Sequence, residues 1–308
     1  MQIEKRSIDW VPLEERHGKP SSLFTIWFAA NMHLTTLVTG ALCVTFGLNL
    51  FWSLIAIILG NGLGALFMAT HSAQGPKLGI PQMIQSRAQF GIIGAVIPLF
   101  IVIFMYIGFY ASSGLLGGLT MSSALNVNVT WGILIMNAIV FIITLCGHDI
   151  IHKMQRYLTW VFLVVYIITT VLVLRMPIPA GSWSVSGFNL PMFLLAIAVC
   201  ACWPLTFAAY VADYSRYLPE DTSMRQTFWY TYLGTIGATI WMMLLGIILT
   251  ASIPNYLDNA GGNLANLFGK GAIILLVIIV LGQISINVMN LYGKYNYCRT
   301  VLKAKSYS

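Results

Sequence analysis

The chain of 308 residues is 58% hydrophobic and 8% charged, and it carries a formal net charge of +7; its mean hydropathy is +0.82. Soluble globular domains contain about 25% charged residues, so this composition excludes soluble enzymes, nucleic-acid-binding domains and disordered chains. The cysteines are scattered, and Cys200 and Cys202 would point away from each other on a helix, which makes them a poor metal or disulfide pair. The sequence therefore describes an all-α, polytopic membrane protein.

Apolar runs of about 20 residues predict transmembrane helices. Eight runs occur, at 22–47, 50–72, 91–121, 129–147, 158–176, 190–212, 225–250 and 271–293. Two longer connections separate them, 75–90 and the polar stretch 254–270. Neither is typical of a linker between soluble domains, so we expect residues 1–308 to form one transmembrane domain. The first 21 residues are polar rather than apolar, so no cleavable signal is expected.

The lysines and arginines are distributed unequally between the two sides of the membrane. With the N-terminus inside, only Arg175 and Lys270 of the 16 Lys and Arg residues lie outside, which leaves 14 in the cytoplasm. Because basic residues concentrate in cytoplasmic loops, we predict a multi-pass protein of the cytoplasmic (cell inner) membrane with a cytoplasmic N-terminus. The positive net charge is then explained by the basic residues on the cytoplasmic side of the lipid bilayer, and it does not indicate a nucleic-acid partner.

The first predicted span is unusually polar at mid-membrane depth. Asn31 and His33 lie there with three threonines and a glycine, all within ten residues. Polar and ionisable residues within spans often mark functional sites, so one interpretation is that His33 faces a substrate. The other is that His33 pairs with a neighbouring helix while the threonine hydroxyls bond back to their own helix.

The sixth predicted span contains Pro204, which predicts a break near Cys200–Trp203 because proline removes a backbone bond and clashes with the preceding turn. A simple proline kink is the alternative. Two interrupted helices, five spans apart and entering from opposite sides, are typical of an inverted-repeat transporter. No sequence self-similarity accompanies this pattern, so the repeat rests on topology alone.

Two further spans carry paired aromatic or amide side chains. Tyr106 and Tyr110 share one face of the third helix, and Asn287 and Asn290 lie close together on the eighth. A flat heterocycle would stack on aromatic rings such as Tyr106 and Trp203 and bond to amides at its edge. Simple packing of the tyrosines and interhelical hydrogen bonds from the asparagines are the alternatives.

Sequence signals of an enzyme are missing. No carboxylate lies deep within a predicted span, and the sequence contains no Cys/His metal spacing, Gly-rich phosphate loop or nucleophile elbow. We therefore expect no catalytic residues, no metal site and no cofactor beyond a co-transported ion.

Several motifs resemble the purine–cytosine permeases, the first nucleobase–cation symporter family. They are the N-terminal segment 3–18, the Gly-Pro-Lys-Leu-Gly stretch that opens 75–91, Tyr-Val-Ala-Asp-Tyr-Ser-Arg-Tyr-Leu-Pro at 210–219 and Asn-Val-Met-Asn-Leu-Tyr at 287–292. The resemblance covers about residues 3–293. It implies a LeuT-like fold of five-plus-five inverted repeats with two further helices, the first repeat at about 22–176 and the second at about 190–293.

The resemblance also implies a function. A monomer would import a nucleobase such as cytosine or a purine, or a related heterocycle such as allantoin or a hydantoin, by symport with a proton or sodium. Position by position, the implied substrate-binding residues are His33, Tyr106, Tyr110, Trp203 (with Pro204 as the alternative at this stacking position) and Asn290 (with Asn287 as its alternative). The implied cation site consists of the carbonyls near Ala29 and Met32 and the Ser285 hydroxyl. Sodium-coupled members have two adjacent hydroxyls there, whereas Ile284 precedes Ser285 here, so we expect proton coupling through His33.

Family members have about twelve helices, but this sequence predicts eight and continues into a short basic stretch, 294–308, that no longer resembles the family. We therefore expect an incomplete second repeat. The alternative function is that of a truncated product that binds a ligand or partner and does not transport.

Overall fold

The computed structural model describes residues 9–145 and 148–304. Within these residues the chain forms helices and no strands, which confirms the all-α prediction. The helices are α1 (Ser21–Ala30), α2 (Leu34–Thr45), α3 (Leu50–Leu78), α4 (Gln82–Gly94), α5 (Val96–Leu125), α6 (Val129–Leu145), α7 (His148–Val173), α8 (Leu190–Ala208), α9 (Ala212–Ser215), α10 (Met224–Ser252), α11 (Ala260–Asn266) and α12 (Ala272–Ala304).

The apolar helices account for the predicted spans. Within the described residues five spans are long and apolar enough to cross a membrane: α3, α5, α8 with α9, α10, and Gly269–Leu291, which includes the first part of α12. Helices α1 and α2 form a further span that bends by 65° at a short break. Helix α6 and the Tyr157–Val173 part of α7 are shorter apolar helices. Together they correspond to the eight apolar runs of the sequence.

The connection predicted at 75–90 is instead largely helical. Helix α3 continues to Leu78 and ends at Gly79, whose positive φ of 63° and N–H bond to the Gly75 carbonyl at 2.8 Å form a left-handed cap. Helix α4 begins at Gln82, whose N–H donates to the Asp213 carboxylate at 2.7 Å. Gly75 and Pro76 lie in the last turn of α3, and Gly79 ends the helix.

The segment before α1 packs across the end of α3. The Val11 N–H donates to the Gly79 carbonyl at 2.9 Å. Arg16 donates to the carbonyls of Val11 at 3.0 Å and Pro76 at 2.6 Å. A side chain on Gly79 would collide with this guanidinium. Arg16 is therefore a buried structural residue as well as one of the charges that set the predicted orientation.

Helix α8 runs unbroken through Pro204, so the break predicted near Cys200–Trp203 is wrong. The reason lies in its packing against α3, where small residues allow the two backbones to approach closely. A Cβ on Gly60 would lie 2.6 Å from the Ile197 carbonyl oxygen, and one on Gly64 would collide with the Ala201 carbonyl. This contact holds the helix together across the proline. The helix is interrupted later, by a turn at residues 209–211 between α8 and α9, although the two helices together form one span.

Candidate functional site

The first span is interrupted at residues 31–33, as the polar sequence of this span suggested. His33 adopts an extended conformation, with φ −149° and ψ 166°. The Asn31 side-chain amide donates to the Trp27 carbonyl at 2.6 Å. This bond supplies a partner to a carbonyl at the end of α1, where the helix itself can no longer do so.

A buried hydrogen bond joins this break to α8. The Trp203 indole N–H donates to the Asn31 side-chain oxygen at 2.7 Å. Both side chains are buried. Asn31 therefore uses its side-chain oxygen and its amide within the protein, and its effect is to fix the orientation of the Trp203 ring. The His33 ring packs beside that indole, with ring centroids 5.7 Å apart and a tilt of 45°.

A narrow cavity lies between the break, α5, α8 and α12. Its lining residues are His33, Met105, Tyr106, Phe109, Ser113, Trp203, Thr206, Phe207, Tyr210, Ile286 and Asn290. The volume open to the centre of a water molecule is about 10 Å³, which is room for about one water molecule. The described lining contains aromatic and apolar side chains with a few polar groups and no carboxylate, lysine or arginine. This composition is typical of a site for a small uncharged molecule.

Four of the six predicted substrate-binding residues line this cavity: His33, Tyr106, Trp203 and Asn290. The side-chain nitrogen of Asn290 and Nδ1 of His33 are buried without a hydrogen-bond partner among the described residues. The other His33 nitrogen, Nε2, lies 3.5 Å from the Thr36 hydroxyl. Because an unpaired buried polar group is energetically costly, both groups favour a ligand that supplies the missing bonds.

The structure brings Tyr110 and Asn287 together, but beside the cavity and not in its described lining. The Asn287 amide donates to the Tyr110 backbone carbonyl at 3.2 Å, which joins α12 to α5. This contact is the interhelical hydrogen bond that the alternative interpretation of the asparagines predicted. The Asn287 side-chain oxygen is buried without a partner among the described residues.

The predicted cation-site residues lie at the end of α1 and on α12. Ala29 belongs to the last turn of α1, and its carbonyl accepts the Met32 N–H at 3.1 Å within the break. Ser285 is buried on α12. The described residues contain no group of three or more His, Cys, Asp or Glu side chains that could hold a metal ion.

Sequence reasoning missed a polar cluster next to the cavity. The Thr35 hydroxyl lies 3.3 Å from the Ser113 hydroxyl and 3.1 Å from the Gln283 side-chain nitrogen. All three residues are buried, and their contacts join α2, α5 and α12. Ser113 lies two helical turns after Tyr106 and therefore on the same face, so extending that face beyond Tyr110 would have found it.

Sequence reasoning also missed three aromatic rings. Trp203 meets Phe109 and Phe207 edge to face, at centroid distances of 5.6 and 6.0 Å. Tyr210 packs against Tyr106 with centroids 5.3 Å apart. Tyr210 lies in the turn after α8; it opens the family-like motif at 210–219 but was not predicted to line the site.

Comparison with known proteins gives a consistent result. A family model described as permease for cytosine/purines, uracil, thiamine, allantoin matches residues 10–298. A Bacillus subtilis (strain 168) protein named as a purine–cytosine permease, YxlA, is 54% identical over 98% of the chain. The Saccharomyces cerevisiae purine–cytosine permease FCY2 is 29% identical over 87% of the chain. The chain spans 66% of the length of the former and 54% of the latter.

Solved structures share the fold at low sequence identity. The transporter Mhp1, described as a nucleobase-cation-symport-1 family member in a closed conformation with bromovinylhydantoin bound, aligns with a TM-score of 0.78 at 19% identity. The alignment covers 97% of this chain and 71% of that one. An inward-facing structure of Mhp1 gives the same TM-score over 95% and 67%. The LeuT-like transporter fold expected from the sequence is thereby confirmed.

Proposed function

Because the chain belongs to the family of permeases for cytosine/purines, uracil, thiamine and allantoin, we propose that it imports a nucleobase-type heterocycle across the cytoplasmic membrane by symport with a cation. The observation that carries this proposal is the cavity at the break of the first span. Its aromatic walls suit a flat ring, and its unpartnered polar groups suit the edge of a heterocycle. The proposal covers one transmembrane domain working as a monomer with its N-terminus in the cytoplasm.

Each of the six predicted substrate-binding residues has a proposed role. Tyr106 and Trp203 offer aromatic faces to the substrate ring. His33 and Asn290 form hydrogen bonds with its edge, because both have buried groups that lack a partner. Asn287 and Tyr110 lie beside the cavity, and the hydrogen bond between them holds α12 against α5. The Asn287 side-chain oxygen, which has no partner among the described residues, is a further hydrogen-bond acceptor.

The co-transported cation is proposed to be a proton. The sodium site would consist of carbonyl oxygens near Ala29 and Met32 with the Ser285 hydroxyl, and Ile284 removes a neighbouring hydroxyl from that set. His33, by contrast, lines the cavity directly and carries an imidazole, a side chain that can take up and release a proton. Transport would follow alternating access, with the cation completing the site before one group of helices rocks against the other.

Binding without transport is the second candidate. The cavity lies entirely within the described residues, while the chain spans 66% of its Bacillus relative. Ligand binding and transport can therefore be tested separately.

The test uses the purified 308-residue protein in detergent and in proteoliposomes. Thermal stabilisation is measured with cytosine, uracil, adenine, hypoxanthine, allantoin and a benzylated hydantoin, and uptake is measured with whichever compound binds. We expect stabilisation by one class of ring and uptake of that compound. Binding without uptake would support the second candidate, and no stabilisation by any compound in a monodisperse sample would contradict both.

A further inference from the structure

A chain of three buried hydrogen-bonding side chains leads to the wall of the cavity. Ser113 belongs to the cavity lining, and its hydroxyl oxygen lies 3.3 Å from that of Thr35. The Thr35 hydroxyl in turn contacts both ends of the Gln283 side-chain amide, the oxygen at 3.2 Å and the nitrogen at 3.1 Å. All three residues are buried. Thr35 and Gln283 lie outside the described lining, so Ser113 is the member of this chain that a ligand contacts.

The direction of each hydrogen bond in this chain follows from the groups involved. An amide nitrogen only donates, and an amide oxygen only accepts. Thr35 therefore accepts a hydrogen bond from the Gln283 nitrogen and donates its single hydroxyl proton to the Gln283 oxygen. Exchanging the two ends of the amide changes nothing, because both contact the same hydroxyl. Thr35 then has only a lone pair to offer to Ser113.

This arrangement fixes the polarity of Ser113. A serine hydroxyl carries one proton, and in Ser113 this proton is donated to the Thr35 oxygen. The lone pairs of the Ser113 oxygen remain for the cavity. At Ser113 the cavity therefore accepts a hydrogen bond and does not donate one. A ligand N–H group is paired there, whereas a ligand carbonyl would place one oxygen against another.

The position of Ser113 indicates which part of a ligand it contacts. The described lining residues of α5 are Met105, Tyr106, Phe109 and Ser113. Ser113 is the last of them, about 10 Å along the helix axis from Tyr106. A heterocycle beside Tyr106 therefore reaches Ser113 with a substituent that projects from the ring. Among such substituents, an amino group supplies the N–H that this oxygen requires.

We propose that Ser113 is a specificity-determining residue that accepts a hydrogen bond from an exocyclic amino group of the substrate, and that Thr35 and Gln283 are positioning residues that set its polarity. The site thereby prefers amino-substituted heterocycles to their oxo counterparts. This inference rests on the proposed function and deepens it, because it assigns recognition of one substituent to a hydrogen-bond network behind the cavity.

The test compares the dissociation constants of cytosine and uracil, and of adenine and hypoxanthine, with the purified protein. In each pair the amino group of the first compound is a carbonyl oxygen in the second, and the neighbouring ring nitrogen gains a proton. In the wild type we expect the amino compound of a pair to bind about tenfold or more tightly, since leaving a buried polar group without its partner costs at least that much in affinity.

Two variants outside the cavity lining should change this preference. Thr35→Val removes the acceptor of the Ser113 proton with little change in volume, and Gln283→Met releases the Thr35 proton so that Thr35 can donate to Ser113. In both variants the Ser113 hydroxyl can donate to the ligand, so the amino-to-oxo affinity ratio should fall towards one. Thr35→Ser keeps the hydroxyl and should retain the wild-type ratio. A merely structural role of Thr35 would weaken both compounds equally and leave the ratio unchanged.

The matched control is Thr39→Val, the same substitution one turn further along α2. Thr39 is half-buried, its hydroxyl donates to the Thr35 backbone carbonyl at 2.9 Å, and it lies outside the described lining. Its ratio should equal that of the wild type. Because each ratio is taken within one variant, a loss of folded protein affects both compounds alike.

Three results would overturn the inference: a wild-type ratio near one in every pair that binds, a wild-type ratio retained in both Thr35→Val and Gln283→Met, or no binding of any of the four compounds. If both variants fail to fold, Ser113→Ala decides, because it removes the acceptor itself and a ratio still equal to that of the wild type would contradict the proposal. Binding of allantoin or the hydantoin alone would leave the proposed function standing while this inference fails.

Discussion

His33 is a buried ionisable residue within a membrane span, and such residues often mark a functional site. It sits in the break of the first span, beside the Trp203 ring and at the edge of the cavity. Among the described lining residues it is the one imidazole, a side chain that can take up and release a proton. A glutamine at this position would retain hydrogen-bonding capacity and lose the ability to exchange a proton.

We therefore expect His33→Gln to bind substrate while losing most or all of the stimulation of uptake by an inward proton gradient. Uptake into proteoliposomes with and without the gradient is the measurement. His17→Gln serves as the control, because His17 is exposed in the segment before α1, and it should behave like the wild type. Full gradient-driven uptake by His33→Gln would remove the case for His33 as the proton carrier.

At the residue scale, the predictable parts of the site were the polar side chains in apolar surroundings. His33 and Asn290 stand out in the sequence because they are polar side chains within apolar spans. Both line the cavity. Phe207 and Tyr210 could not be recognised in the same way, since an aromatic residue in a membrane helix is equally typical of packing. Their assignment to the cavity requires the structure, which shows where α8 ends.

At the scale of helices, the contact between α3 and α8 decides the geometry of the site. Gly60 and Gly64 bring the backbone of α3 against α8 just before and at the level of Trp203 and Pro204. Trp203 in turn reaches across to Asn31. A small residue on α3 thus determines where an aromatic wall of the cavity stands.

A methyl group at Gly64 should therefore be destabilising. Its Cβ would collide with the Ala201 carbonyl, and overpacking of this kind costs about 1–3 kcal/mol. We expect Gly64→Ala to lower the thermal unfolding midpoint and weaken ligand binding. In Gly62→Ala, on the same helix, the new Cβ meets only the Tyr232 hydroxyl at 3.5 Å, so this control should be neutral. Equal midpoints for the two variants would contradict this account of the α3–α8 contact.

The existence of the helices could be predicted from the sequence, and their ends could not. Hydrophobic length identifies spans because the bilayer imposes it. Pro204 misled because proline is tolerated inside a membrane-spanning helix where packing against a neighbouring helix compensates for the lost backbone bond, and α3 packs closely against this part of α8. The connection predicted at 75–90 was wrong in the opposite direction, since α3 continues through Pro76 to Leu78 and ends at Gly79.

At the scale of the molecule, coupling means that the binding of the cation and the binding of the substrate strengthen each other. If substrate binding requires a proton, the thermal stabilisation by substrate should grow as the pH falls and should not change with sodium. If sodium binds with substrate, sodium at 100 times its dissociation constant would add about 2.7 kcal/mol.

We expect the proton pattern, because Ile284 stands in place of one hydroxyl beside Ser285. The measurement is the substrate-induced shift of the unfolding midpoint in sodium and in choline chloride at two pH values. Ser285→Ala is the companion variant and should leave the shift unchanged. A shift that depends on sodium and disappears in Ser285→Ala would reverse the assignment.

The tight closure of the cavity has a consequence for the membrane itself. Protons cross a bilayer readily along an unbroken chain of water molecules, and this cavity has room for about one. The narrow cavity lined by Tyr106, Tyr210 and Trp203 would therefore limit such a chain of water. Proton leakage through the protein would then be slow when no ligand is bound, and the cell would keep its ion gradients. Tyr106 and Trp203, which we propose to bind the substrate ring, would also limit this leakage.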